Sequence, residues 1–518
     1  MSKPYDRYDQ AALALLSDLK GWRLRAIERV ELSSALWSER DREIHVKPMS
    51  ELMAEFDVHD WRNAIAQHRT PTGSLELVLP ISELPKIPLL DLTITVAGEP
   101  VYRIAKDEGA RIEAGHVIHL GEMAGLIQQT PPRLLDFLAY LFYFPSHPYQ
   151  AVWEKYHRFS MENFDSWMES AIHDAQYEYL TSKGSPFDVA NYYSSWNALA
   201  ERIGKLAKGY VVQDCLSAAE NPLIALPYLF QEMRRQSWSP ERAIRSGDIQ
   251  LLLGFLCHTL EEADRRARGG DTAAGKFIST YFGYGYRWMA FAKCTVPIDA
   301  PFTITMKEKR TIYFTPHSRK RLSLVELWRK EAWQMVAFAD AETNHVVVTV
   351  SDTAVRLKHR PTAMNEVCRT IRDAVDEEAS TFELYLRYDS SPDRPDRIYI
   401  KCPLRLTRLH SGMLWVTMAI TAFGLYLLLS RGLPAIPDAP KHDPTKETTS
   451  QIARGLTAKD ASLILVPVAF AASFLLIRDT STLSSFIRRI RQSILLFELF
   501  ALLVAAFMLL AVYHLRIG

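Results

Sequence analysis

Ser493–His514 reads SILLFELFALLVAAFMLLAVYH. It is an apolar run with a single carboxylate, Glu498. Its 22 residues form about 33 Å of helix, enough to cross a bilayer core of about 30 Å. Two earlier stretches have the same character: SGMLWVTMAITAFGLYLLLS at Ser411–Ser430 and ASLILVPVAFAASFLLI at Ala461–Ile477. The second is shorter and holds Pro467, which membrane helices tolerate where neighbours satisfy the freed carbonyl. Three such runs in series predict a transmembrane region over 405–518, with spans at about 411–430, 461–477 and 492–513.

Charge divides the chain in the same place. From Lys401 onward there are 13 Lys/Arg and 6 Asp/Glu; residues 1–400 hold 48 and 54. An acidic body precedes a basic, apolar tail, so a general nucleic-acid partner is not expected. Lys401, Arg405 and Arg408 precede the first span, and Arg478, Arg488, Arg489 and Arg491 lie between the second and third. Basic residues favour the cytoplasmic side. The N-terminal stretch also lacks an apolar h-region. The expectation is a multi-pass protein of the cell (plasma or inner) membrane, with a cytoplasmic body and the C-terminus outside. The five cysteines form no CxxC pair and read as reduced structural thiols.

Between the second and third spans, Leu483, Phe486, Ile487 and Ile490 fall at helical spacing, with Arg488, Arg489 and Arg491 on the other positions. This predicts a short interfacial helix whose arginines meet anionic headgroups; a positive topology signal explains them equally. Glu498 lies about 9 Å in from that side, with Thr417 and Ser473 at about 8 and 6 Å on the other spans. A bundle contact with those hydroxyls and a functional carboxylate are both open readings, since intramembrane ionisable groups are rarely idle.

Upstream, the fold class reads as α+β. An N-terminal β-rich segment covers 1–130, with an exposed hairpin over 21–48 and clearer strands over Leu75–Ile104, where Gly98-Glu99 supplies a turn. Helical periodicity dominates 131–298. Strands return over 299–404 with one helix, AMNEVCRTIRDAVDEEA, among them. The last strand runs nearly into the first span, so a sandwich-like membrane-proximal unit is expected, completed by the N-terminal strands, with the helical block inserted.

LVLPISELPKIPLLDLTITVAGEPV, NHVVVTV and VPVAFAASFLLIRDTSTLSSFIRRIR resemble stretches of a group of uncharacterised bacterial membrane proteins. The resemblance covers both ends of the chain and little of the helical middle. It implies this architecture and a bacterial origin, and it carries over no activity or functional residue.

Catalytic patterns are absent. Gly270-x4-Gly275-Lys276 imitates a phosphate loop, but Phe277 stands where Ser or Thr would ligate Mg²⁺. Glu154-x-x-His157 has di-iron spacing without the other ligands such a site needs. His116 with His119, and Cys257 with His258 and Glu261, lack a full ligand set and read as packed, hydrogen-bonded side chains. No cofactor or metal is expected. The leading reading is a membrane-anchored cytosolic sensor, scaffold or binding protein, partnered by the lipid bilayer, including anionic lipids, and by another protein or its own copies. The alternatives are an oligomeric channel lined by Glu498, and an enzyme with a site in the helical block around Glu154, His157, His173 and Asp174.

Overall fold

The computed structural model describes residues 7–55, 63, 65–85, 89–143, scattered positions between 199 and 210, 246–312, 330–337, 340–357, 362–364, 370–373, 381–387, 397–432 and 481–517. These residues form a mixed α+β body followed by two apolar helices. The expected middle span at 461–477 lies outside them.

Helices α1 (Arg7–Ser17) and α2 (Leu19–Trp22) lead into strands β1 (Arg23–Leu32) and β2 (Trp37–Val46). After α3 (Met49–Glu55) come β3 (Ser74–Pro85), β4 (Leu89–Val96) and β5 (Glu99–Val101). The β4–β5 turn is Ala97–Gly98, one residue earlier than expected, with φ of 51° and 85°. Two consecutive positive φ values are the signature of a tight hairpin turn, and Gly98 takes its value without strain. Next come α4 (Lys106–Met123), α5 (Leu134–Tyr143), α6 (Ser246–Arg268) and α7 (Thr272–Tyr286). The later strands are β6 (Arg287–Pro297), β7 (Phe302–Thr311), β8 (Lys330–Ala337), β9 (Thr343–Val350), β10 (Val355–Leu357), β11 (Thr362–Met364), β12 (Thr370–Asp373), β13 (Thr381–Arg387) and β14 (Arg397–Leu406). Helices α8 (Arg408–Gly432) and α9 (Thr482–Ile517) follow.

A seven-stranded sheet has the order β13-β9-β1-β2-β7-β4-β5. Strands from both ends of the body therefore interleave, with β1 parallel to β9 and antiparallel to β2. The 21–48 hairpin exists, but at the centre of this sheet and not exposed. A smaller sheet pairs β14 with β8 along one edge and with β10 and β11 along the other; β12 extends it. The expected helix over 363–379 is replaced, where described, by β11 and β12, because β14 and the β11–β12 pairing capture that backbone. Helix α4 is a second departure, standing inside a segment read as β-rich.

The β3–β6 pair forms a middle layer. Leu75, Leu77, Leu79, Ala292, Cys294 and Val296 belong to the core against the large sheet, and Val78, Met289 and Phe291 to the core against the helices. A register shift between Pro80 and Ser82 re-aims the strand beyond it.

The inward face of the large sheet is apolar at both ends and ionic between them. Ala26, Ile44, Val46, Ile304 and Met306 pack on the β3–β6 layer, whereas Val30, Leu32, Val346, Val348 and Val350 pack on the small sheet. In the seam, Glu28 lies opposite Arg42 and Arg40 opposite Glu308 in register. Glu28 accepts from Arg40 at 2.9 Å and Arg42 at 2.8 Å; Asp340 accepts from Arg42 and Arg23, both at 2.6 Å. Arg310 pairs with Glu308, and Arg287 meets Glu83 at 3.5 Å. Burial alone would push the Asp340 carboxyl up, but Arg42 and Arg23 outweigh it and hold it below the ordinary carboxylate range. Burial pulls Arg23 and Arg40 down to about 10, which leaves both protonated at neutral pH. Buried pairs of this kind offset a large desolvation cost only when both partners stay in place.

Candidate functional site

The two apolar helices meet the body at one place. Strand β14 ends at Leu406; the Thr407 N–H donates to Ala354 O at 2.9 Å, and α8 begins at the next residue. Helix α9 starts beside it with its N-terminus on Asp352, a buried residue of the β9–β10 connection. Asp352 Oδ2 accepts from the Ser484 N–H at 3.1 Å and from the Ser481 hydroxyl, while Oδ1 accepts from the Ala354 N–H at 2.8 Å. A carboxylate here satisfies donors that the first helical turn leaves open, and its charge suits the positive end of the helix dipole. From the β1–β2 turn, Ser34 Oγ lies 3.0 Å from Thr482 Oγ1, which also accepts from the Ala35 N–H at 3.1 Å. Leu414 of α8 and Leu483 of α9 belong to the core of the small sheet.

From this junction α8 and α9 run parallel. Arg491 Nη1 donates to Ser411 Oγ at 3.0 Å and its guanidinium lies over the Trp415 ring, 5.9 Å from the centroid. Farther out, Met418 packs with Leu495. Both helices are long and apolar enough to cross a membrane, over His410–Leu427 and Arg491–Met508. Most of each stretch is exposed rather than packed in the core. Trp415, Val416, Phe423, Tyr426, Phe497, Phe500, Leu503 and Phe507 all face outward.

Glu498 is half-buried on α9, and its Oε2 is enclosed with no hydrogen-bond partner among the described residues. Thr417 is buried, but its hydroxyl donates to the Met413 carbonyl at 2.8 Å, and Thr421 likewise donates to Thr417 O at 2.9 Å. The hydroxyls thus bond back along their own helix. Ser473 lies outside the described residues.

The arginines separate. The stretch expected as a separate interfacial helix is the first turns of the 36-residue α9. Arg488 is buried, Arg489 is exposed, and Arg491 turns toward α8. Arg405, read in the sequence only as part of the basic flank of the first span, lies directly opposite Arg356 of β10, which the sequence did not single out. Asp352 and Ser34 also lack a sequence signal for this role, since their partners on α9 and just before it lie 129 to 448 residues away.

The other sites take structural roles or fall outside view. Glu154, His157, His173 and Asp174 lie outside the described residues. Among the described residues no group of three or more His, Cys, Asp or Glu side chains is arranged to hold a metal. Burial pushes His116 down to about 3, and its Nδ1 lies 2.8 Å from the Tyr284 hydroxyl. Glu261 holds Arg202 at 2.6 Å, with the Cys257 thiol 3.7 Å away. The loop at Gly270 is a helix–helix turn, in which Asp271 caps α7 through the Ala273 and Ala274 N–H groups and Lys276 donates to Ser17 O at 3.0 Å.

A shallow depression opens at the start of α4, lined by Arg103, Lys106, Glu113 and Trp288 among others. Lys106 lies over the Trp288 ring at 4.2 Å, and Glu113 accepts from the Met289 N–H.

No protein-family model matches the chain, and no curated protein or solved structure is significantly similar to it.

Proposed function

We propose that the chain is a membrane-anchored sensor or scaffold whose β body is coupled rigidly to its membrane helices. The observation that carries this reading is the junction. Helices with outward-facing aromatic and aliphatic side chains are joined to the body by a buried helix cap, a strand-to-helix transition of one residue and a shared core. A mere tether would need no such fit. A partner bound to the body would transmit force or rotation to α9 through Asp352 and to α8 through β14.

Because α8 and α9 leave the body in parallel, a membrane reading requires the chain between them to recross the layer. The run at 461–477 supplies an apolar length for that crossing. Arg405, Arg408, Arg489 and Arg491 at the body end favour a cytoplasmic body and a C-terminus on the opposite side. Alkaline extraction of native membranes, with protease-accessible tags at each terminus, tests this. The expected result is retention in the pellet with only the C-terminal tag accessible from outside. Release into the soluble fraction would overturn it.

Glu498 favours a second reading, a conduit formed by several copies, because an enclosed carboxylate oxygen without a donor among the described residues is costly in lipid. In nanodiscs this reading requires a particle of several chains, and an ion flux that Glu498→Gln abolishes. A monomer with no flux excludes it.

A further inference from the structure

Where β14 hands over to α8, the β10–β14 register sets Arg356 directly opposite Arg405, with Val355–Leu406 and Leu357–Leu404 as the flanking pairs. The flanking residues are buried in the small-sheet core, so the two arginines share the other face. Like charges directly opposed in a sheet are unfavourable. Arg408 adds a third at the first residue of α8. Burial lowers the Arg405 pKa, and the positive charges of Arg356 and Arg408 lower it further. Among the described residues none of the three has an ion-pair partner, and the Nε atoms of Arg356 and Arg405 are enclosed without an acceptor. The acidic residue nearest in sequence, Asp352, is already held by Ala354, Ser481 and Ser484.

Two guanidinium groups opposed across a strand pair, each with an enclosed and unmet Nε, and a third arginine at the adjoining helix start form the complement of a phosphate group, whose oxygens match the guanidinium fork. Their position selects the source of that phosphate. Arg408 is two residues, or about 3 Å along the helix axis, before the apolar stretch that begins at His410. The headgroup layer on each side of a bilayer core is roughly 5–8 Å deep. With that stretch in the bilayer core, Arg408 and the adjoining end of β14 stand at headgroup height. We infer that Arg356, Arg405 and Arg408 form a binding site for the phosphodiester of an anionic phospholipid, which bridges the cross-strand arginine pair and seats the body on the membrane. This rests on the membrane reading above and adds to it a specific lipid class and site.

The test uses the full chain in nanodiscs of phosphatidylcholine, with and without phosphatidylglycerol. Native mass spectrometry counts retained lipid, and thermal melting reports stability. The wild type is expected to retain phosphatidylglycerol and to melt higher in its presence. Arg356→Gln with Arg405→Gln is expected to bind it about thirtyfold more weakly, the worth of two basic contacts. The same variant should melt above the wild type in pure phosphatidylcholine, where only the repulsion is removed; a purely structural role for the pair would move melting the other way. Affinity within threefold of wild type overturns the site. So does displacement of the lipid by millimolar inorganic phosphate, which would identify a soluble ligand. Should the double variant not fold, Arg405→Lys keeps the charge and loses the fork, and unchanged affinity there overturns the site equally. A wild type that resists alkaline extraction but shows no lipid preference removes this site alone; one that extracts as a soluble protein removes the membrane reading beneath it.

Discussion

Replacing Asp352 by alanine should detach the first turns of α9 from the body. The side chain is 8 % exposed and accepts three hydrogen bonds, from Ala354 N, Ser484 N and Ser481 Oγ. Loss of a helix N-cap costs about 0.5–2 kcal/mol, and hydrogen bonds to a charged acceptor contribute roughly 1.5–3 kcal/mol. These overlap, so the combined local loss is about 3 kcal/mol. At 1.4 kcal/mol per decade that is on the order of a hundredfold in the opening equilibrium. Hydrogen exchange of the reconstituted full chain reads it directly: amides of 485–489 should exchange about a hundredfold faster, while those of β3 and β6, in the layer on the other side of the large sheet's core, stay as in the wild type. Asp352→Asn keeps one carbonyl acceptor but neither the second acceptor nor the charge, and should show roughly half the effect in free energy. If 485–489 exchange within threefold of wild type in a folded Asp352→Ala protein, α9 is not held by this cap and the coupling argument fails.

Two further perturbations probe the body. Arg42→Met takes one of two arginine partners from each of Glu28 and Asp340 in the seam and should cost about 3 kcal/mol in chemical unfolding, part of it recovered by adding Glu28→Gln. Because the Asp340 pKa is depressed in the folded protein, its contribution is complete above the ordinary carboxylate range and vanishes as pH falls through the native value; Asp340→Asn should remove that part of the acid limb. His116, held down to about 3 chiefly by burial, is protonated first in the unfolded chain. Its contribution is therefore full above about pH 6.5 and declines by roughly 1.4 kcal/mol per pH unit toward 3. His116→Asn should flatten stability between pH 6 and 4, and an unchanged slope would show that His116 is not buried and neutral.

Local pattern made some of this architecture readable. The apolar runs at 411–430 and 492–513 correspond to α8 and α9 because a helix that meets lipid must be apolar along its whole length, whatever it packs against. Tyr281, Phe282 and Tyr284 of the aromatic run YFGYGY are buried in the core, as their apolar surface dictates. The 21–48 hairpin was legible as a hairpin, but its place was not. Inward positions carrying Glu28, Arg40 and Arg42 look like a solvent face until Asp340 and Glu308, roughly 300 residues later, supply the opposite charges. The helix pattern over 363–379 gave way because strand pairing with β14 outweighs a propensity of a few tenths of a kcal/mol per residue.

What the sequence alone determined is therefore compositional: an acidic α+β body, a basic boundary and apolar helices beyond it. What only the tertiary structure decided is adjacency. It brought Ser34 and Asp352 to the start of α9, set Arg356 against Arg405, and turned Arg488 inward while leaving Arg489 outside. Hydrophobicity acts on each residue through its own surface and can be read one position at a time. Hydrogen bonds and charge pairs depend on what stands within a few ångströms, and folding alone brings residues hundreds of positions apart to that distance.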